Sequence, residues 1–118
     1  WAGLHGPQEV DKPKFLQSLE ASGLLQLGGS ASTKVHTNGL TQWDAPNAWP
    51  PLQHMLIEGL EHQGCIALAK DLAERWLSSC QMSWESSGFM YEKYNAAKPG
   101  EGGGGGEYEP QVGFGWSN

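Results

Sequence analysis

Two amphipathic stretches separated by a single glycine constrain this chain more than anything else in it. Residues 50–63 open on Pro50-Pro51 and carry Leu52, Met55, Leu56, Gly59 and Leu60 at i, i+3, i+4, i+7 and i+8, with His54, Glu58, Glu61 and His62 mainly elsewhere. After Gly64 a longer stripe follows: Cys65, Leu68, Ala69, Leu72, Trp76 and Cys80, widened by Ala73 and Leu77. Lys70, Asp71, Glu74, Arg75 and Ser78 form its solvated side, and Gly88 is placed to end it in the left-handed conformation. Two helices joined so tightly form a hairpin, and a hairpin must bury its stripes against further helices.

A shorter helix is expected after Asp11-Lys12-Pro13, where proline sits near the first helical position and Gly23 supplies a stop. Phe15, Leu16 and Leu19 are its apolar side. Residues 30–38 read as loop, and residues 89–118 have no helical period but are aromatic, glycine-rich and acidic. A segment of that kind stays ordered when a scaffold holds it over a site. The expected class is all-α, helical hairpins with long loops. At 118 residues the chain is one domain at most.

Charge excludes some partners. The formal net charge is −6, whereas nucleic-acid and anionic-membrane surfaces need clustered Lys and Arg. No apolar run reaches the length of a membrane span, and residues 1–6 do not resemble a signal peptide. Cys65 and Cys80 bracket one predicted helix, which puts them roughly 22 Å apart, too far for a disulfide. His5, His36, His54 and His62 form no i, i+4 pair or other compact ligand spacing, so neither a metal nor another cofactor is expected. No nucleophile elbow is present for serine or cysteine chemistry.

The chemistry concentrates in Gln42-Trp43-Asp44-Ala45-Pro46-Asn47-Ala48-Trp49-Pro50-Pro51, directly before the hairpin. By itself such a run also describes an ordered pre-helix loop. An indole face with polar groups at its edge is, however, what a pyranose ring needs, since its hydroxyls demand partners once water is excluded. The run resembles the QWDxPNxWxP signature of the trehalases, glycoside hydrolase family 37. Two further family-like segments follow in order: Phe89-Met90-Tyr91-Glu92-Lys93-Tyr94-Asn95, and the glycine run leading through Gly106-Glu107-Tyr108 to Gly113-Phe114-Gly115-Trp116-Ser117-Asn118. The resemblance covers about two thirds of the chain. Residues 28–33 resemble the family's GGIPTS-type segment loosely, Ala48 stands where glycine is frequent, and five consecutive glycines replace the usual four or so.

The resemblance implies an (α/α)6 barrel, of which residues 1–118 form a C-terminal portion of the catalytic domain, incomplete at both ends. It implies hydrolysis of α,α-trehalose to two glucose molecules with inversion, in which paired carboxyl groups flank the scissile bond. Glu92 takes the role of general base. Read locally, a Glu-Lys dipeptide is more often a surface ion pair. Here Tyr91 and Tyr94 are expected to crowd Glu92 and partly desolvate it, with a nearby cation holding its charge. The resemblance implies substrate contacts from Glu107, and Gln42, Trp43 and Asp44 are the candidate sugar ligands of the first run. Trp49 fits stacking or packing equally, and Asp44 also fits a local backbone cap. The glycine run lacks the Lys-Ser/Thr of a phosphate loop and is flanked by Glu101 and Glu107, which argues against phosphate; a flexible linker is the competing reading.

In this family the acid aspartate and the substrate-clamping arginines lie upstream, so the isolated chain is expected to be inactive without the rest of the catalytic domain. The competing class is a non-catalytic carbohydrate-binding or regulatory remnant. The family points to a secreted, periplasmic or membrane-anchored parent.

Overall fold

A computed structural model describes residues 11–113 and 115–117. Phe114 and Asn118 of the last motif, and residues 1–10, lie outside the described residues.

Helix α1 spans Lys12–Ala21, α2 Pro50–His62 and α3 Ile66–Ser87. Asp11 caps α1 by accepting from the Lys14 N–H at 3.1 Å, which satisfies one of the orphan donors of the first turn. Pro50 and Pro51 open α2, where their missing N–H groups cost nothing. Gly64, at φ +72°, turns the chain between α2 and α3. Gly88, at φ +74°, ends α3 with its N–H on the Trp84 carbonyl at 2.7 Å. The expected hairpin is thus formed, within one or two residues of its predicted ends.

The hairpin core is Leu60, Ala69 and Leu72, with Leu56, Ile57, Cys65 and Leu68 packed around it. Leu16 and Leu19 of α1 close it from outside, whereas Phe15, expected on the same apolar side, is exposed. Leu77 departs from the predicted stripe, being 65% exposed. It follows Trp76 by about 100° of helix rotation, which carries it past the packed face. Both cysteines are free thiols.

Two very short ladders are superimposed on the helices. Strands β1 (Leu25–Gln26) and β2 (Gly29–Ser30) make an antiparallel hairpin. Gln53 of α2, buried, clamps it with both amide atoms: Ser30 N–H donates to Oε1 and Nε2 donates to Ser30 O, each at 2.7 Å. Gly29 has φ +126°, and a Cβ there would stand 2.8 Å from Gln53 Oε1, so only glycine lets the hairpin seat. Arg75 of α3 donates to the Gln26 carbonyl at 3.1 Å and pairs with Asp71 at 2.6 Å.

Strand β3 (Asn47–Ala48) pairs with β4 (Tyr94–Asn95), and Tyr94 bridges on its other side to Gly102. Tyr91 bridges to Val112. The segment after α3 therefore lies between the tryptophan run and the glycine run. Ala31, Ala48 and Ala96 form a second small core here, covered by Ala45 and Trp76. Small side chains at these three positions allow the loop backbones to approach closely enough to pair.

Candidate active site

Glu92 is 4% exposed and is the only buried carboxylate among the described residues. The surface ion pair suggested by its Lys93 neighbour does not describe it. Its backbone is fixed at both ends: its N–H donates to Gln111 O at 2.8 Å, and its carbonyl accepts from Trp116 Nε1 at 3.0 Å. The Tyr108 hydroxyl donates across both carboxylate oxygens, 3.1 Å from each. That hydroxyl is itself made harder to ionise, first by desolvation and then by the carboxylate beside it. A carboxylate offers about four lone-pair sites, so one bifurcated donor leaves acceptor capacity for a water.

The aromatic surroundings come from more than the two neighbouring tyrosines. Tyr94 packs edge-on against Trp76 at 5.1 Å and accepts from the Tyr91 N–H at 3.0 Å. Burial pushes its phenol up to about 12. Tyr108 bonds the carboxylate and Trp116 the backbone carbonyl, two contacts beyond those expected from Tyr91 and Tyr94. Tyr108 and Trp116 lie 16 and 24 residues from Glu92 in sequence, and no local pattern points to such a pairing.

Lys93 is fully buried. Its Nζ donates to Gly105 O at 3.2 Å and to Gln42 Oε1 at 3.4 Å, and lies 5.2 Å from the Trp49 ring and 5.4 Å from that of Tyr108. Burial pushes its ammonium pKa down, while the Glu92 charge pulls the other way.

In the first run, Trp49 is 1% exposed and Trp43 45% exposed, and the two indoles stack at 3.9 Å with 8° between planes. This settles the packing role for Trp49: it is the inner slab, with Trp116 edge-on behind it at 5.8 Å. Trp43 is the outer slab. With one face covered by Trp49, its other face is open to a ring. Gln42 holds the run together through its carbonyl, which accepts from Trp49 Nε1 at 3.2 Å and Asn47 Nδ2 at 3.0 Å. Asp44 accepts at its carbonyl from Asn47 N–H at 3.0 Å, closing a turn over the cis Ala45-Pro46 bond. Among the described residues its carboxylate receives a long bond from Thr33 Oγ1, 3.5 Å. Asp44 thus lies beside the cluster, bonded to its own turn.

The glycine run is no linker. Gly103 N–H donates to Lys93 O at 2.8 Å, and Gly106 N–H to Gly39 O at 3.0 Å. Asn47 grips Gly104 with both amide atoms, accepting its N–H at 3.1 Å and donating to its carbonyl at 2.8 Å. A Cβ on Gly103 would meet Asn47 Oδ1 and Lys93 Cγ at 2.7 Å each, which accounts for glycine there. Glu107, at the end of the run, is exposed and adjoins Tyr108. The chain thereby brings Gln42, Trp43 and Glu92 to one cluster, whereas Glu107 is tied to it only as the sequence neighbour of Tyr108. Lys93, Asn47, Tyr108 and Trp116 are the members that sequence reasoning did not assign. Among the described residues no group of three His, Cys, Asp or Glu side chains is disposed to hold a metal ion.

A helical hairpin bearing long loops that converge on a buried carboxylate is one piece of a larger helical fold. The fold matches part of the barrel of a neutral trehalase from Saccharomyces cerevisiae, with a TM-score of 0.74 and 30% identity over 99% of this chain and 20% of that one. The family model for trehalase matches residues 1–118, and the chain belongs to the trehalase family. It is similar to the trehalase of Arabidopsis thaliana (42% identical, covering 100% of this chain and 19% of the relative). It is also similar to the trehalase of Pimpla hypochondriaca (45%, covering 85% and 17%) and the periplasmic trehalase of Salmonella paratyphi B (45%, covering 92% and 19%). The chain spans about a fifth of the length of these relatives.

Proposed function

We propose that the full-length protein carrying this chain hydrolyses α,α-trehalose to two glucose molecules with inversion, and that Glu92 is its general base. The observation that carries this reading is the burial of Glu92. Placing a lone carboxylate in the interior is costly, and such a group is retained where its charge is used. In this scheme Glu92 draws a proton from a water attacking the anomeric carbon, and Tyr108 fixes the plane of its carboxylate. The open face of Trp43 packs on the sugar ring, while Gln42, Asp44 and Glu107 engage hydroxyls. The leaving oxygen is protonated by a second carboxyl group on the opposite side of the bond. That group is assigned to the remainder of the catalytic domain, of which residues 1–118 are a C-terminal portion. The isolated chain is accordingly inactive.

A compartment outside the cytoplasm is proposed from the likeness to a periplasmic relative. No helix among the described residues is long and apolar enough to cross a membrane.

The test is glucose release from trehalose by the full-length protein with and without Glu92→Gln. The amide keeps the shape and loses the proton acceptor, so turnover should fall by about 10²–10⁴ with trehalose binding retained. Unchanged turnover would move the base elsewhere. A wild-type protein that binds trehalose but releases no glucose would favour a non-catalytic carbohydrate-binding module.

A further inference from the structure

A lysine with no exposed surface, one position from the proposed base, calls for an account of its own. Enclosure on all sides leaves no path for a substrate to reach Nζ, so a nucleophilic or acid role finds no support. What the ammonium does touch comes from two segments remote from it in sequence. It donates to the side-chain carbonyl of Gln42, ahead of α2, and to the main-chain carbonyl of Gly105, in the glycine run. It also lies over the rings of Trp49 and Tyr108. The Gln42 side chain also meets the Tyr108 hydroxyl, so the ammonium holds its oxygen while its other end lies beside the tyrosine; without the ammonium it would sample further rotamers. Burying a cation for this purpose costs desolvation, which its two acceptors and two ring faces offset.

We infer that Lys93 is a positioning residue: its ammonium pins the Gln42 side chain to the glycine run and so presents the Gln42 amide group to a sugar hydroxyl. Lys93 therefore acts on substrate binding through Gln42 rather than on the proton transfer at Glu92. This rests on the trehalose reading of the site.

The experiment is a double-mutant cycle in the full-length protein, using Lys93→Met, Gln42→Ala and both together, with kcat and KM for trehalose and trehalose binding measured for each. Lys93→Met keeps length and apolar packing while removing charge and donors. It should raise KM about tenfold with kcat falling less than about threefold, the size expected for one lost polar contact to the sugar. Gln42→Ala should cost about as much alone, yet add less than about twofold in the Lys93→Met background, because the contact has already been lost. Additive losses, or unchanged KM in Lys93→Met, would overturn the inference. Where Lys93→Met does not fold, Lys93→Gln replaces it in the same cycle; failure of both to fold would also overturn it, showing a purely structural residue. A wild-type protein that hydrolyses trehalose but gives an additive cycle sinks this inference alone. One that neither hydrolyses nor binds trehalose sinks the functional reading and this inference with it.

Discussion

Replacing Asn47 should loosen the glycine run while leaving the helices intact, and the size of the effect follows from its contacts. The side chain is buried and makes three hydrogen bonds: one accepted from Gly104 N–H, one donated to Gly104 O, and one donated to Gln42 O. Asn47→Ala removes all three. Gly104 is exposed, so its freed groups find water, and the Gln42 carbonyl keeps Trp49 Nε1. No buried group is orphaned, and the cost is the net value of three bonds, about 3 kcal/mol in all. At 1.4 kcal/mol per decade, that corresponds to roughly 10²-fold more frequent opening of the run. Hydrogen exchange read by mass spectrometry on the full-length protein reports it at Gly103 and Gly106, whose own partners are Lys93 O and Gly39 O. Asn47→Asp should be worse than alanine. It keeps an acceptor for Gly104 N–H but sets a carboxylate oxygen against two carbonyls that now receive amide hydrogens at 2.8 and 3.0 Å. Unchanged exchange at Gly103 and Gly106 in Asn47→Ala would refute the clamp, as would an aspartate milder than the alanine.

Gly103→Ala should lower trehalose turnover more than about tenfold and destabilise by about 1–3 kcal/mol, because its Cβ would collide with Asn47 Oδ1 and Lys93 Cγ. Gly104→Ala meets nothing within 4 Å and should stay within about 0.5 kcal/mol of wild type in thermal midpoint and activity, making the pair a matched control. Alkaline stability should decline as buried groups are forced to ionise. Burial pushes the Cys80 thiol from the usual 9.0 up to about 11. The folded state then holds a proton that the unfolded chain releases first, so this contribution is complete below about pH 9 and is lost as pH rises past about 11. Cys80→Ala should flatten the fall of thermal midpoint between about pH 9 and about pH 11, the window set by that shift; identical slopes for the two proteins would count against a buried thiol as the cause.

The α2–α3 hairpin was legible because helical period, paired prolines and glycine stops are all local. The stripe at residues 65, 68, 69, 72, 76 and 80 is written every three or four positions, and α3 follows it closely. Leu77 escaped because hydrophobicity alone does not say on which side of a stripe a neighbouring residue falls. Gln53 was invisible for the opposite reason: a polar residue on α2 gives no sign that its amide will serve two backbone groups 23 residues away.

The site divides along the same line. Sequence by itself determined the residue types that can do sugar chemistry, and three ordered motifs carried the family and marked Glu92, Trp43 and Gln42. Tertiary structure decided which of these residues meet. Tyr108 reaches the Glu92 carboxylate, and Lys93 joins Gln42 and Gly105 instead of pairing with its neighbour. Each of those contacts spans a dozen residues or more and exists only because the segment after α3 is wedged between two loops. Its backbone hydrogen bonds are supplied by partners from both sides, and those partners fix where each side chain ends.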